Sequence, residues 1–122
     1  MDFDALIAEL RNLRELVSGI TDTVIAAVDG IPIVADAAAI IDPAKISALA
    51  AADLGIARQA VELTGKGTLA QTVVFGTEGY MAVYAIDRTA LMVVFGDKDL
   101  NVGRLLFECR PVIERISSIL AA

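Results

Sequence analysis

Apolar residues recur at three- and four-residue intervals near both ends of the chain and alternate or run together in its middle. Phe3, Leu6, Ile7, Leu10, Leu13 and Val17 form one stripe, with Asp2, Asp4, Glu9, Arg11 and Glu15 on the remaining faces. This spacing predicts an amphipathic helix over about residues 2–17, ended by Gly19. Two strands should follow, about Thr23–Val28 and Ile31–Ala35, joined at Asp29-Gly30. Asp-Gly suits a tight type I′ hairpin, because both central residues then need positive φ. Pro32 has no N–H to give a ladder, so the second strand is expected at a sheet edge.

Asp42 is a good N-cap and Pro43 fits the first helical position, so a second helix should run from there to about Leu63 and stop at Gly65. Ile46, Leu49, Ala50, Leu54, Ile56, Ala57, Ala60, Val61 and Leu63 fill an apolar arc of about 180° on its wheel, wider than one sheet face requires. Ala48, Ala51, Ala52 and Gly55 on the back of the helix would let another backbone approach closely. A helix buried on two sides explains both features, and the simplest second cover is another copy of the chain. Mere helix propensity of alanine is the competing explanation. Asp53, the one polar residue inside the arc, must be hydrogen-bonded, paired or protonated, and fixing register at an interface is its expected role.

Three strands come next, about Thr68–Phe75, Tyr80–Ile86 and Ala90–Phe95, linked by turns short enough to impose an antiparallel meander. The first is β-branched and uncharged, with no proline or charge to block edge pairing, and self-pairing is the expectation. A last helix spans about Asn101–Leu120. Val102, Leu105, Leu106, Cys109, Val112, Ile113, Ile116, Ile119 and Leu120 share its apolar face. Pro111 lies opposite and should bend it, and Phe107, off the stripe, is read as a contact with the first helix, with an exposed anchor as the alternative. The order αββαβββα describes one α/β (α+β) domain over residues 1–122, a profilin-like sandwich of a five-stranded antiparallel sheet with helices on both faces.

Composition narrows the chemistry. With 57% apolar and 21% charged residues the chain is globular, and no apolar run approaches the length of a transmembrane span. The acidic start, Met1-Asp2-Phe3-Asp4, is no signal peptide, and the single Cys109 fits a reducing cytoplasm. A net charge of −6 disfavours nucleic acid and suits a partner with a basic surface. Histidine is absent, which removes the commonest general base, the Ser/His and Cys/His dyads and most zinc sites. No catalytic residue, metal or cofactor is therefore expected. Gly65-Lys66-Gly67-Thr68 lacks the spacing and the strand-to-helix context of a phosphate-binding loop. Asp97-Lys98-Asp99-Leu100-Asn101 partly matches a calcium loop, but Val102 occupies the position that needs glycine. Capping of the last helix by Asp97 or Asp99 is the expected use of those carboxylates.

In element order and in its Asp29-Gly30-x-Pro32 hairpin, nearly the whole chain resembles the Roadblock (dynein light chain 7-type) family, in particular its bacterial small-GTPase regulators. The resemblance implies a homodimer joined through the second helix and third strand, two sheets becoming one. It also implies a Ras-like small GTPase as partner, with activation or scaffolding as the activity. Actinobacterial relatives look like parts of systems that include a sensor kinase. For the dimer contact the expected residues are Ala48, Ala51, Ala52, Leu54, Gly55, Leu69, Gln71, Thr72 and Val73. For GTPase contact they are Lys45, Ser47, Arg58, Gln59 and Glu62, on the outward side of the second helix. An arginine finger from Arg58 is conceivable on chemical grounds but is not the expectation. The alternative is a profilin-like small-molecule-sensing domain. It would need a pocket between helix and sheet with convergent polar groups, for which Asp53, Thr72 and Tyr84 are the few inward candidates.

Overall fold

The computed structural model describes residues 1–122. Its elements are α1 (Phe3–Leu16), β1 (Ile20–Ala27), β2 (Pro32–Asp36), α2 (Pro43–Leu63), β3 (Gln71–Gly76), β4 (Gly79–Ile86), β5 (Ala90–Asp97) and α3 (Val102–Ala121). All strand pairs are antiparallel, in the order β2-β1-β5-β4-β3. Pro32 thus opens a strand at one edge, as its missing donor requires, and β3 forms the other edge.

Side chains of even and odd number leave a strand on opposite faces, and both faces are covered. Leu6, Leu10 and Leu13 of α1 and Leu105, Cys109, Val112 and Ile116 of α3 pack with Ile25, Ala82, Tyr84, Ile86, Met92 and Val94 on one side. On the other side Ala50 and Leu54 of α2 meet Val24, Ala26, Val83, Leu91 and Val93. The larger core therefore lies under α1 and α3, and α2 rests alone on its face.

Local chemistry sets the element ends. Asp2 accepts from the Ala5 N–H, and Asp42 accepts from Ala44 and Lys45, so both carboxylates cap helices as N-caps should. Past the end of α2, Gly65 takes φ +65° while its N–H reaches the Glu62 carbonyl and the Lys66 N–H reaches Val61, a Schellman closure. Arg14 ties α1 to the start of the sheet, its Nε 3.0 Å from Asp36 Oδ2 and its other nitrogens donating to the Ile20, Thr21 and Asp36 carbonyls.

Several expectations need correction. The β1–β2 connection is not a type I′ hairpin, because Gly30 has φ +92° but Asp29 does not have positive φ. Ala27 donates to Ile31 across a three-residue loop, Gly30 donates back to Ala27, and the register shifts by a bulge at Ile25/Ala26. That is the three-residue loop in which only glycine needs the left-handed region. β3 begins at Gln71, not Thr68; Leu69 instead packs against the α2-side core. α3 is capped by Asn101, whose Oδ1 accepts from Arg104 at 3.0 Å, whereas Asp97 spends its side chain on the Asp99 N–H within the preceding loop. The helix runs unbroken through Pro111. Phe107 is not packed away against α1 but stands 69% exposed on α3, the anchor-like alternative.

Candidate functional site

No three His, Cys, Asp or Glu side chains come together as a metal would require, and no helix is long and apolar enough to cross a membrane. What the fold offers is a surface, on α2 and the adjoining edge of β3.

The face of α2 turned to the sheet carries Ser47, Ala50 and Leu54, all fully buried, with Ala57 and Val61 half-buried beside them. On the opposite face Leu49, Ile56 and Leu63, at 60%, 72% and 86% exposure, fall in one line with exposed Ala52 and Ala60 between them. This stripe on a surface helix has no partner within the chain. The helix is therefore apolar on two sides, as its wheel predicted, but the second side is made of large residues rather than alanines.

Asp53 gives the stripe its direction. Its carboxylate accepts a hydrogen bond from Thr72 Oγ1 on β3. That bond satisfies the half-buried carboxylate and places the Asp53 side of α2 above the free edge of the sheet. At about 100° per residue, Leu49, Ile56 and Ala60 lie on that same side. Ala48, Ala51 and Gly55 lie on the other flank. Ala48 there backs onto the β1–β2 loop so closely that a Cβ on Gly30 would stand 3.1 Å from the Ala48 Cα. Gly55 has open space around it.

β3 pairs only with β4, from Gln71↔Tyr84 to Gly76↔Gly79, which leaves its other backbone edge without a ladder. Val74 and Phe75 on it are 44% and 70% exposed, and the Phe75 ring rests edge-on against Tyr80 with centroids 5.3 Å apart. Neither charge nor proline protects this edge. At the end of the same face that α2 covers, Ile41, Val74, Met81 and Phe95 line a shallow hollow of about 410 Å³ that the helix does not reach.

The expected contact residues are thus divided. Of the anticipated dimer residues, Gln71, Thr72 and Val73 lie on the open edge strand and Ala52 in the exposed stripe. Leu54 is fully buried in its own subunit and Leu69 is half-buried there, so neither is a surface group. Of the anticipated GTPase residues, Lys45, Gln59 and Glu62 are exposed and Arg58 is half-buried. Ser47 is buried under α2 with its hydroxyl unpartnered, not outward. Leu49, Ile56 and Leu63 were hidden within the broad apolar arc; their i, i+7, i+14 spacing was the signal that could have separated them from Leu54.

Beneath α3, burial shapes one further pair. Desolvation, reinforced by the neighbouring Cys109, raises the ionisation of the Tyr84 hydroxyl well above its ordinary range. Burial likewise pushes the Cys109 thiol from 9.0 up to about 11, against the lowering effect of the Tyr84 hydrogen bond and with the Glu108 charge adding to the rise. A thiol so placed is a packing group, not a nucleophile.

The whole is a small αβα sandwich with an unpaired edge strand and a helix apolar on both sides. The chain belongs to the Roadblock/LC7 domain family, whose model matches residues 6–95. Solved structures share the fold at low identity. A Roadblock/LC7 domain from Streptomyces avermitilis is 18% identical with a TM-score of 0.85, over 92% of this chain and 94% of that one. MglB from Myxococcus xanthus is 14% identical with a TM-score of 0.90, over 99% and 98%. An MglB in a tetrameric arrangement is 14% identical with a TM-score of 0.84, over 95% and 88%. A search of curated protein sequences returned no match.

Proposed function

We propose that this chain is a homodimeric, non-catalytic regulator or scaffold that binds a Ras-like small GTPase in the bacterial cytoplasm and shifts its GTP/GDP balance. One observation carries the reading: the exposed Leu49–Ile56–Leu63 stripe and the unladdered edge of β3 adjoin each other, so one partner can cover both. A second copy related by a two-fold axis is the most economical cover, since β3 would pair with β3 and α2 with α2. The self-assembly of MglB, a fold relative, supports this. The contact so proposed consists of Leu49, Ala52, Ile56 and Leu63 with Gln71, Thr72 and Val73. The earlier small-residue set gives way, because Ala48, Ala51 and Gly55 flank the helix on the side away from β3.

The GTPase assignment rests on membership of the Roadblock/LC7 family and on the bare chemistry of the chain, which has no histidine and no nucleophile–base pair. Lys45, Gln59 and Glu62 on α2 offer the polar contacts for it, and a sensor kinase upstream belongs to the same reading. A surface of this kind regulates by binding one nucleotide state more tightly than the other, which shifts the equilibrium by the difference in affinity. The test is size-exclusion chromatography with a Ras-like small GTPase from the same genome, loaded with GDP or a non-hydrolysable GTP analogue. Co-elution in one state well above the other is expected; elution as separate species in both states overturns the proposal.

A further inference from the structure

Between α3 and the β3–β4 pair lies a cavity of about 500 Å³, on the face of the sheet away from α2. Tyr84, Leu106 and Ile113 give it apolar lining, and Arg110, Glu114 and Gln71 give it polar lining. α3 carries three arginines and two glutamates. Arg104 pairs with Glu108 and Arg115 pairs with Glu9 of α1. Arg110 and Glu114 alone make no ion pair, and these two line the cavity. A separate observation concerns Tyr84. It is 2% exposed, and its hydroxyl finds no oxygen or nitrogen partner, having only the weak Cys109 thiol beside it. That oxygen has no exposed surface, so it does not open into the cavity and takes no part in what the cavity binds.

We infer that this cavity binds a small zwitterion with an apolar side chain, of the chemical class of an apolar α-amino acid. The carboxylate goes to the Arg110 guanidinium, the ammonium to the Glu114 carboxylate, and the side chain to Leu106, Ile113 and the Tyr84 ring. A simple anion would meet Glu114 as a repulsive charge, and a simple cation would meet Arg110 in the same way; only a ligand with both charges answers both residues. The volume falls within the range of pockets that hold small ligands. The site lies on the face of the sheet away from α2 and shares only Gln71 with the proposed dimer contact.

The test is an amide NMR titration of the full chain with L-leucine, run beside 4-methylpentanoate and isopentylamine, which carry the same side chain with one charge each. Saturable shifts clustered at Gln71, Tyr84, Ala85 and Ile113 are expected for leucine, with the two single-charge analogues weaker by roughly tenfold. Arg110→Gln and Glu114→Gln, both on the exposed rim, should each weaken leucine by a similar factor while leaving the spectrum folded. No saturable shift at about 10 mM leucine, shifts scattered away from the cavity, equal binding of the acid alone, or unchanged binding by Arg110→Gln would each overturn the inference.

Discussion

Ile56→Ala isolates the proposed contact from the fold that displays it. Complete burial of an isoleucine side chain stabilises by about 1.5–3 kcal/mol. With Ile56 72% exposed in the subunit, most of that remains available to a partner. Loss of the side chain then removes about 1–2 kcal/mol of contact per copy. A two-fold interface contains the residue twice, which doubles the loss to about 2–4 kcal/mol and raises the dimer dissociation constant by roughly 30- to 700-fold. Subunit stability should scarcely move, by less than about 0.5 kcal/mol, because nothing in the subunit covers the residue. Leu54→Ala, two residues away and 0% exposed, should do the reverse: a cost of about 2–5 kcal/mol to folding with little effect on association. Light scattering over a dilution series gives the first quantity and urea unfolding below the dissociation constant gives the second. If Ile56→Ala weakens folding and leaves association intact, the assignment of the two faces of α2 is wrong.

Two further expectations concern the core and the loop. The Cys109 thiol is neutral in the folded state up to about 11 but ionises near 9.0 when exposed. Its contribution is therefore fully present below pH 9 and is lost as pH rises toward 11, at up to about 1.4 kcal/mol per pH unit. Urea midpoints measured from pH 8 to 10.5 should fall along that window, and Cys109→Ala should flatten the part of the slope that belongs to the thiol; an unchanged slope would refute it. Gly30→Ala forces a side chain into φ +92° and against the Ala48 backbone at 3.1 Å, so a loss of at least about 1–2 kcal/mol is expected in urea unfolding.

Much of the architecture was legible in the sequence because each element end carries its own chemistry. Asp42-Pro43 and Gly65 delimited α2 correctly, and Pro32 sent its strand to the edge. The failures come where several residues could do one job. Asp97, Asp99 and Asn101 are all good caps within five positions, and the helix took the one adjacent to its first turn. Asp29-Gly30 admits two loop geometries, and the chain takes the one with a single left-handed residue, with Ile33 as the extra residue in the β1–β2 pairing. The candidate surface was legible as a property and not as a list of residues. Breadth of the apolar arc announced a helix apolar on two sides, but Leu49, Ile56 and Leu63 are as apolar as Leu54. Only the tertiary bond from Thr72 to Asp53 settles which side overhangs the open strand. Ser47 defeated the polar-outward rule because it is small enough to pack beneath the helix, and Phe107 defeated the aromatic-inward one.

Hydrogen–deuterium exchange of β3 tests the central claim most directly. The amides of Gln71–Gly76 that do not bond to β4 have no acceptor within the subunit. If a second copy supplies it, those amides should be protected at high protein concentration and lose that protection on dilution through the dissociation constant, and Ile56→Glu should expose them at any concentration. Rapid exchange along that edge in concentrated, unmodified protein would contradict the account.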